Sequence, residues 1–204
     1  VGAGIGADEI QIWTDVDGML TADPRVVRNP RVVPHLSFAE AAELAYFGAK
    51  VLHPSTILPA IERNIPVRIL NSRNAEAPGT LITAAPPPNP RPLTGLACKR
   101  GLTVIDITSD RMLMVYGFLR RVFEVFERFK TAVDVVTTSE VSVSVTVDDR
   151  QHLDAIVAAL SEFATVQVDG GMALLCAVGD RLPAEPAIAA RAVGVLEEIG
   201  RAHV

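Results

Sequence analysis

Cysteine is scarce in this chain: Cys98 and Cys176 are the only two in 204 residues, far apart and without the close spacing that binds zinc. Such usage fits a reducing, cytoplasmic setting. His35, His53, His152 and His203 are equally scattered, so no metal site is expected. No run of eighteen or more apolar residues is present, and the N-terminus lacks the basic stretch of a signal peptide. A soluble protein without a membrane span is expected. The net charge of −5 offers no basic footprint for nucleic acid, so any phosphate must be met by local cations. There is no initiator Met, and Val1–Asp8 reads as a helix tail entering a strand. Arg201–Val204 stops without returning to a sheet, so both ends are expected to be cut. Gly2, Gly4 and Gly6 do not make a phosphate loop, because no strand precedes them and no G-K-[ST] follows.

What is present is a chain 49% apolar, enough for a substantial core in one or two domains. Ile10–Trp13 reads as a buried strand, with Trp13 in the core. Ser37-Phe38-Ala39-Glu40 is a capping box, followed by an apolar stripe that stops at Gly48. Pro54 opens another helix, with Ile57, Leu58 and Ile61 as its buried face. Ile65–Leu70 and Gly79–Thr83 read as strands. An α/β layer over residues 1–84 follows. In residues 85–95, Pro86, Pro87, Pro88, Pro90 and Pro92 make a stiff polyproline spacer and a domain boundary.

After the spacer, Leu102–Ile107 reads as a strand and Phe118–Phe129 as a helix with Val122, Val125, Phe126 and Phe129 inward. Val133–Val136 is a second strand. Val141–Val147 alternates strictly, which demands a half-buried strand with its valines on one face. Leu153, Ile156, Val157 and Leu160 resume helical spacing, and Thr165–Val168 returns as a strand. The order β-α-β-β-α-β is ferredoxin-like and fills residues 96–170. Gly170-Gly171 is expected to turn the chain into a further strand, Met172–Val178, and a helix, Ala187–Ile199. Residues 171–204 thus read as the start of a second such unit. Cys176 reads as a core filler.

Three segments carry chemistry. Thr14 and Asp15 end an apolar run just before an Asp-Gly turn, where open α/β sheets bind ligands. Asp23-Pro24-Arg25 reads as a helix or turn start that sets Arg25 beside free N–H groups, a place for an anion. Lys50 follows the glycine that ends a helical segment and can act as a mobile charge on a phosphate. Singly, each residue is as readily a cap or a solvated surface charge.

Together, Trp13-Thr14-Asp15-Val16-Asp17-Gly18, Asp23-Pro24-Arg25 and Phe47-Gly48-Ala49-Lys50-Val51-Leu52-His53-Pro54 resemble the nucleotide-binding half of the aspartate kinases, in that family's order. The resemblance implies the C-terminal part of an amino-acid-kinase α/β sandwich. It implies that Thr14 and Asp15 contact the nucleoside, Arg25 the phosphate or ribose side, and Lys50 the phosphates. Leu20 stands where some relatives carry an aromatic near the base, and His53 would position the Lys50 loop.

Val133-Asp134-Val135-Val136-Thr137-Thr138-Ser139-Glu140-Val141-Ser142-Val143-Ser144 resembles the ACT regulatory domains that follow the kinase domain in that family. These bind an amino acid between two copies. Similarity to the lysine-sensitive members implies an effector site of Met112, Phe118, Leu119, Val133, Asp134 and Ser139. Val115 and Ala132 are apolar where those relatives have small hydroxyl residues. By residue type, Asp134 suits an ammonium group; the alternative is an edge-strand charge, with Thr137–Ser139 as ordinary turn residues.

The implied reaction moves the γ-phosphoryl of ATP, with Mg2+, to L-aspartate, at the start of the route to lysine, threonine and methionine. The implied effector is lysine, with threonine second, in a homo-oligomer joined through ACT domains. The family's K-F-G-G-T-S and R-G-G-S-D segments, which supply a catalytic lysine and hold aspartate, do not occur here. No catalytic residue is therefore assigned, and the chain by itself is expected to be inactive. Two further readings are a non-catalytic amino-acid-binding subunit and part of a fusion with homoserine dehydrogenase.

Overall fold

A computed structural model describes residues 2–47, 54–88, 91–109 and 116–199. They fall into two compact units, Val1–Cys98 with Leu175–Val204, and Lys99–Leu174. No helix among the described residues is long and apolar enough to cross a membrane.

The first unit opens with α1 (Gly2–Ile5), β1 (Ile10–Thr14), β2 (His35–Ser37), α2 (Phe38–Phe47), α3 (Pro54–Arg63), β3 (Val67–Asn71) and β4 (Thr80–Thr83). Their strands form one sheet in the order β1-β3-β4-β2. The β1–β3 and β2–β4 pairs are parallel, while β3 and β4 run antiparallel. Met19, Leu36, Ile69 and Ile82 are fully buried at its centre, each contributing about 1.5–3 kcal/mol by leaving water.

The capping box is formed: Ser37 Oγ accepts the Glu40 N–H at 3.1 Å, and Glu40 Oε2 accepts the Ser37 N–H at 3.0 Å. It starts α2, whose Ala41, Leu44 and Ala45 are buried. Trp13 is not core. It is 50% exposed, its Nε1 donating to Gln11 Oε1 at 3.2 Å, because the two-residue period of β1 puts it on the outward face with Gln11. Among the described side chains of α3, Ala60 is buried, while Leu58 and Ile61, expected on the buried face, are exposed. Residues 51–53 and the Ile57 side chain lie outside the description.

The second unit holds β5 (Gly95–Thr108), α4 (Phe118–Arg128), β6 (Val136–Thr138), β7 (Ser142–Val147), α5 (Leu153–Ser161) and β8 (Thr165–Val178), ordered β6-β7-β5-β8. Both ends of the division fall inside strands, β5 and β8. Antiparallel pairing sets Ile105 opposite Val145 and Ile107 opposite Val143. Val143, Val145 and Val147 are fully buried, as the alternation requires, with Val122, Phe126, Ile156 and Leu160 above them. Val141 lies outside β7 and is exposed.

Two boundaries differ from expectation. The second strand of this unit is β6 at Val136–Thr138, because Asp134 and Val135 depart from regular pairing: Val135 N–H goes to the Thr146 hydroxyl, 3.0 Å. Gly170-Gly171 does not turn the chain. β8 runs through it, with Gly171 at φ 73°, a conformation that glycine adopts without a Cβ penalty. After β8, a short 3-10 turn (Leu182–Ala184) leads into α6 (Pro186–Ile199).

Candidate functional site

β1 and β3 are parallel neighbours that end together, Thr14 opposite Asn71. Their C-terminal ends collect polar side chains. Thr14 Oγ1 donates to Asp15 Oδ1 at 3.2 Å. Ser72 donates to the Thr14 carbonyl twice, from its N–H at 2.8 Å and its hydroxyl at 2.9 Å. Asp17 Oδ1 accepts Asn71 Nδ2 at 2.7 Å and Asn74 Nδ2 at 3.2 Å. Asp15 is left exposed at the rim.

The loop from Asp15 to Met19 is fixed from below by Thr80. Its buried hydroxyl accepts the Met19 N–H at 2.8 Å and donates to the Val33 carbonyl at 2.7 Å. Gly18 passes close to it at φ 141°, where a Cβ would stand 2.5 Å from Thr80 Oγ1. Half-buried Leu20 pairs with Val32, and Thr21 N–H donates to the Arg31 carbonyl at 2.9 Å.

Asp23 makes a turn: its Oδ1 accepts the Arg25 N–H at 2.8 Å, and its carbonyl accepts the Val26 and Val27 N–H groups. The same carboxylate grips Arg25 through Nε and Nη2, with the shortest contact 2.6 Å. The guanidinium is thereby held out into solvent, with Nη1 turned to no protein acceptor among the described residues. Lys50 lies outside the described residues. Around Thr14 and Asp15 the structure gathers Asp17, Asn71, Ser72 and Thr80, which no local sequence pattern singled out. Asn71 at a strand's C-terminal end was the available signal.

In the second unit, Asp134 is a well-enclosed charge. Its side chain is 2% exposed, and its two oxygens take Lys99 Nζ at 2.9 and 2.8 Å. Lys99 also reaches Asp148 at 2.8 Å. Burial pushes the Lys99 ammonium down, but hydrogen bonds and charge from Asp134 and Asp148 outweigh it and raise it above its ordinary value. Ala132 is exposed and Val133 half-buried just before Asp134.

At the other end of β6, Ser139 Oγ lies 2.7 Å from Ser142 Oγ and accepts the Ser142 N–H at 3.1 Å. Phe118 is buried, edge-on to Phe163, and Leu119 is exposed, both at the start of α4. Met112 and Val115 lie outside the described residues. Within one copy, then, Ala132, Val133 and Asp134 precede β6 and Ser139 follows it.

Residues 1–71 match the amino acid kinase family. The chain is 48% identical over 189 residues to aspartokinase 3, chloroplastic, of Arabidopsis thaliana, covering 88% of this chain and 34% of that protein. It is 40% identical over 199 residues to lysine-sensitive aspartokinase 3 of Escherichia coli (strain K12), covering 94% and 44%. The structure is similar to that of E. coli aspartokinase III in complex with aspartate and ADP, in the R-state. The TM-score is 0.85 at 39% identity, over 97% of this chain and 46% of that one. The T-state of that protein, with lysine and aspartate, gives 0.76 at 41% identity, over 89% and 42%. The chain spans about a third to under half the length of these two relatives.

Proposed function

We propose that this chain, which belongs to the aspartokinase family, supplies one wall of the nucleotide site and the amino-acid-sensing region of an aspartate kinase. In that enzyme a β-carboxylate oxygen of L-aspartate attacks the γ-phosphorus of ATP. The bond to the β–γ bridging oxygen breaks, and 4-phospho-L-aspartate and ADP leave. Thr14 and Asp15 would hold the nucleoside, Leu20 would pack near the base, and Arg25 with Lys50 would meet the phosphates. The reaction is mostly positioning and charge neutralisation. Mg2+ would enter with ATP, held by phosphate oxygens; among the described residues no group of three or more His, Cys, Asp or Glu gathers around a metal site.

Residues 96–170 would act as an ACT domain that takes lysine, or threonine in second place, between two copies of the chain. The segment from 171 to 204 would begin a second such unit, and a cytoplasmic homo-oligomer is the expected form.

The observation that carries the nucleotide reading is the parallel β1–β3 pair, ending in Thr14, Asp15 and Asn71, with Arg25 held outward by Asp23. Titration of ADP into the full-length protein by calorimetry tests it. Asp15→Ala and Arg25→Ala are each expected to weaken ADP about tenfold, the worth of one charge-assisted hydrogen bond. Unchanged affinity in both variants would refute the site.

A further inference from the structure

Glu40 is a buried carboxylate whose partners join three stretches of chain. Oε2 accepts the Ser37 N–H and hydroxyl, each at 3.0 Å, inside the capping box. Oε1 accepts the Thr94 hydroxyl at 2.6 Å. Thr94, also buried, then donates its own N–H to the Val178 carbonyl at 2.8 Å. Thr94 immediately precedes β5, and Val178 ends β8.

Two residues on, the Leu96 N–H donates to the Thr21 carbonyl at 2.8 Å. Between them Gly95 packs so closely that a Cβ would lie 3.1 Å from Leu44 Cδ2 and 3.2 Å from the Thr21 carbonyl oxygen. The start of β5 is therefore held by α2, through Glu40 and Leu44. It is also held by the turn that carries Leu20 and Thr21 and leads to Asp23-Pro24-Arg25.

A capping box by itself needs only the Ser37–Glu40 pair. Here the second carboxylate oxygen is engaged by a hydroxyl 54 residues away. That bond is charge-assisted and shielded from water, and losing the donor leaves a buried anionic oxygen unsatisfied. α2 and the beginning of β5 cannot separate without that penalty.

We infer that Glu40 and Thr94 are positioning residues for the nucleotide segments. They set α2 and the Leu20–Thr21 turn on the ends of β5 and β8. Because those strands run on as members of the second sheet, the same joint carries the influence of a bound amino acid to nucleotide affinity. This second half rests on the regulatory reading proposed above.

The test is ADP affinity of the full-length protein by calorimetry, with and without saturating lysine or threonine, in Thr94→Val, Thr94→Ser and the unaltered protein. Melting temperature is recorded alongside. Thr94→Val keeps the shape but removes the hydroxyl, and is expected to weaken ADP about tenfold, the cost of one such hydrogen bond. It is also expected to bring the ratio of ADP affinities with and without amino acid close to one. Thr94→Ser restores both. A Thr94→Val protein that melts lower yet keeps the ADP affinity and the ratio would make Thr94 merely structural, leaving the functional reading intact. Should Thr94→Val not fold, Glu40→Gln replaces the charge at constant shape, and unchanged affinity and ratio there overturn the inference. No amino-acid effect on ADP in the unaltered protein would overturn the regulatory reading and the joint together.

Discussion

The Asp134 side chain, 2% exposed, lies just before β6. Its carboxylate suits an ammonium, and the structure gives it one from within the chain, Lys99 Nζ. Lys99→Met would take one ion-pair partner from a nearly fully buried carboxylate and is expected to lower the urea midpoint. The pH dependence follows from the two shifts. The raised Lys99 value means its stabilisation is complete below the unfolded value and fades only as pH rises through the higher folded one, in alkali. For Asp148, the Lys99 hydrogen bond leads the causes that hold its carboxyl below the ordinary range. Its contribution is present above the unfolded value and is lost as pH falls through the lower folded one, in acid. Urea midpoints across pH should show a neutral plateau with both limbs flattened in Lys99→Met. An amino acid whose ammonium is to meet Asp134 must share or displace Lys99.

At the level of elements, Thr80 decides how the loop from Asp15 to Met19 is held. As the first residue of β4 it satisfies both the Met19 N–H and the Val33 carbonyl. Thr80→Val should cost about 1–3 kcal/mol, because a buried N–H loses its acceptor. Thr80→Ser, which keeps the hydroxyl, should cost about 0.8 kcal/mol for the lost methyl; thermal melts of the two distinguish hydroxyl from volume. Elements with a local cause were legible in sequence: α2 from its capping box, α4 from its apolar stripe, β7 from its strict alternation. Three-residue β2 was not, since it exists by pairing with β4, and neither was the continuity of β8, since two glycines signal a turn and permit a bend alike. The same limit governs the site. Thr14, Asp15 and Arg25 stand in local strand-end and turn patterns, whereas Asp17–Asn71, Met19–Thr80 and Glu40–Thr94 join residues 54 to 61 positions apart.

For the whole molecule, the spacing along β6 bears on how the proposed effector would be held. Asp134 and Ser139 stand at opposite ends of β6 (Val136–Thr138), whose three residues alone rise about 10 Å, so one amino acid would have to lie stretched along the strand to touch both within a single copy. Phe118 and Leu119 open α4, after β5, while Ala132 and Val133 come after α4 ends. If these residues serve one ligand, a second copy must bring the complementary end alongside. β6 is suited to that: among the described residues it is the edge of its sheet, and it is exposed at all three residues. An open edge is a template for strand pairing, and a lysine placed on it blunts such pairing. Val136→Lys, at a side chain already exposed, should therefore leave the melting temperature of the full-length protein nearly unchanged. It should shift sedimentation toward the smaller species and weaken amino-acid binding in proportion. Effector binding at full strength by a protein that sediments as a monomer would show instead that one copy holds the ligand, and that Asp134 and Ser139 do not act on it together.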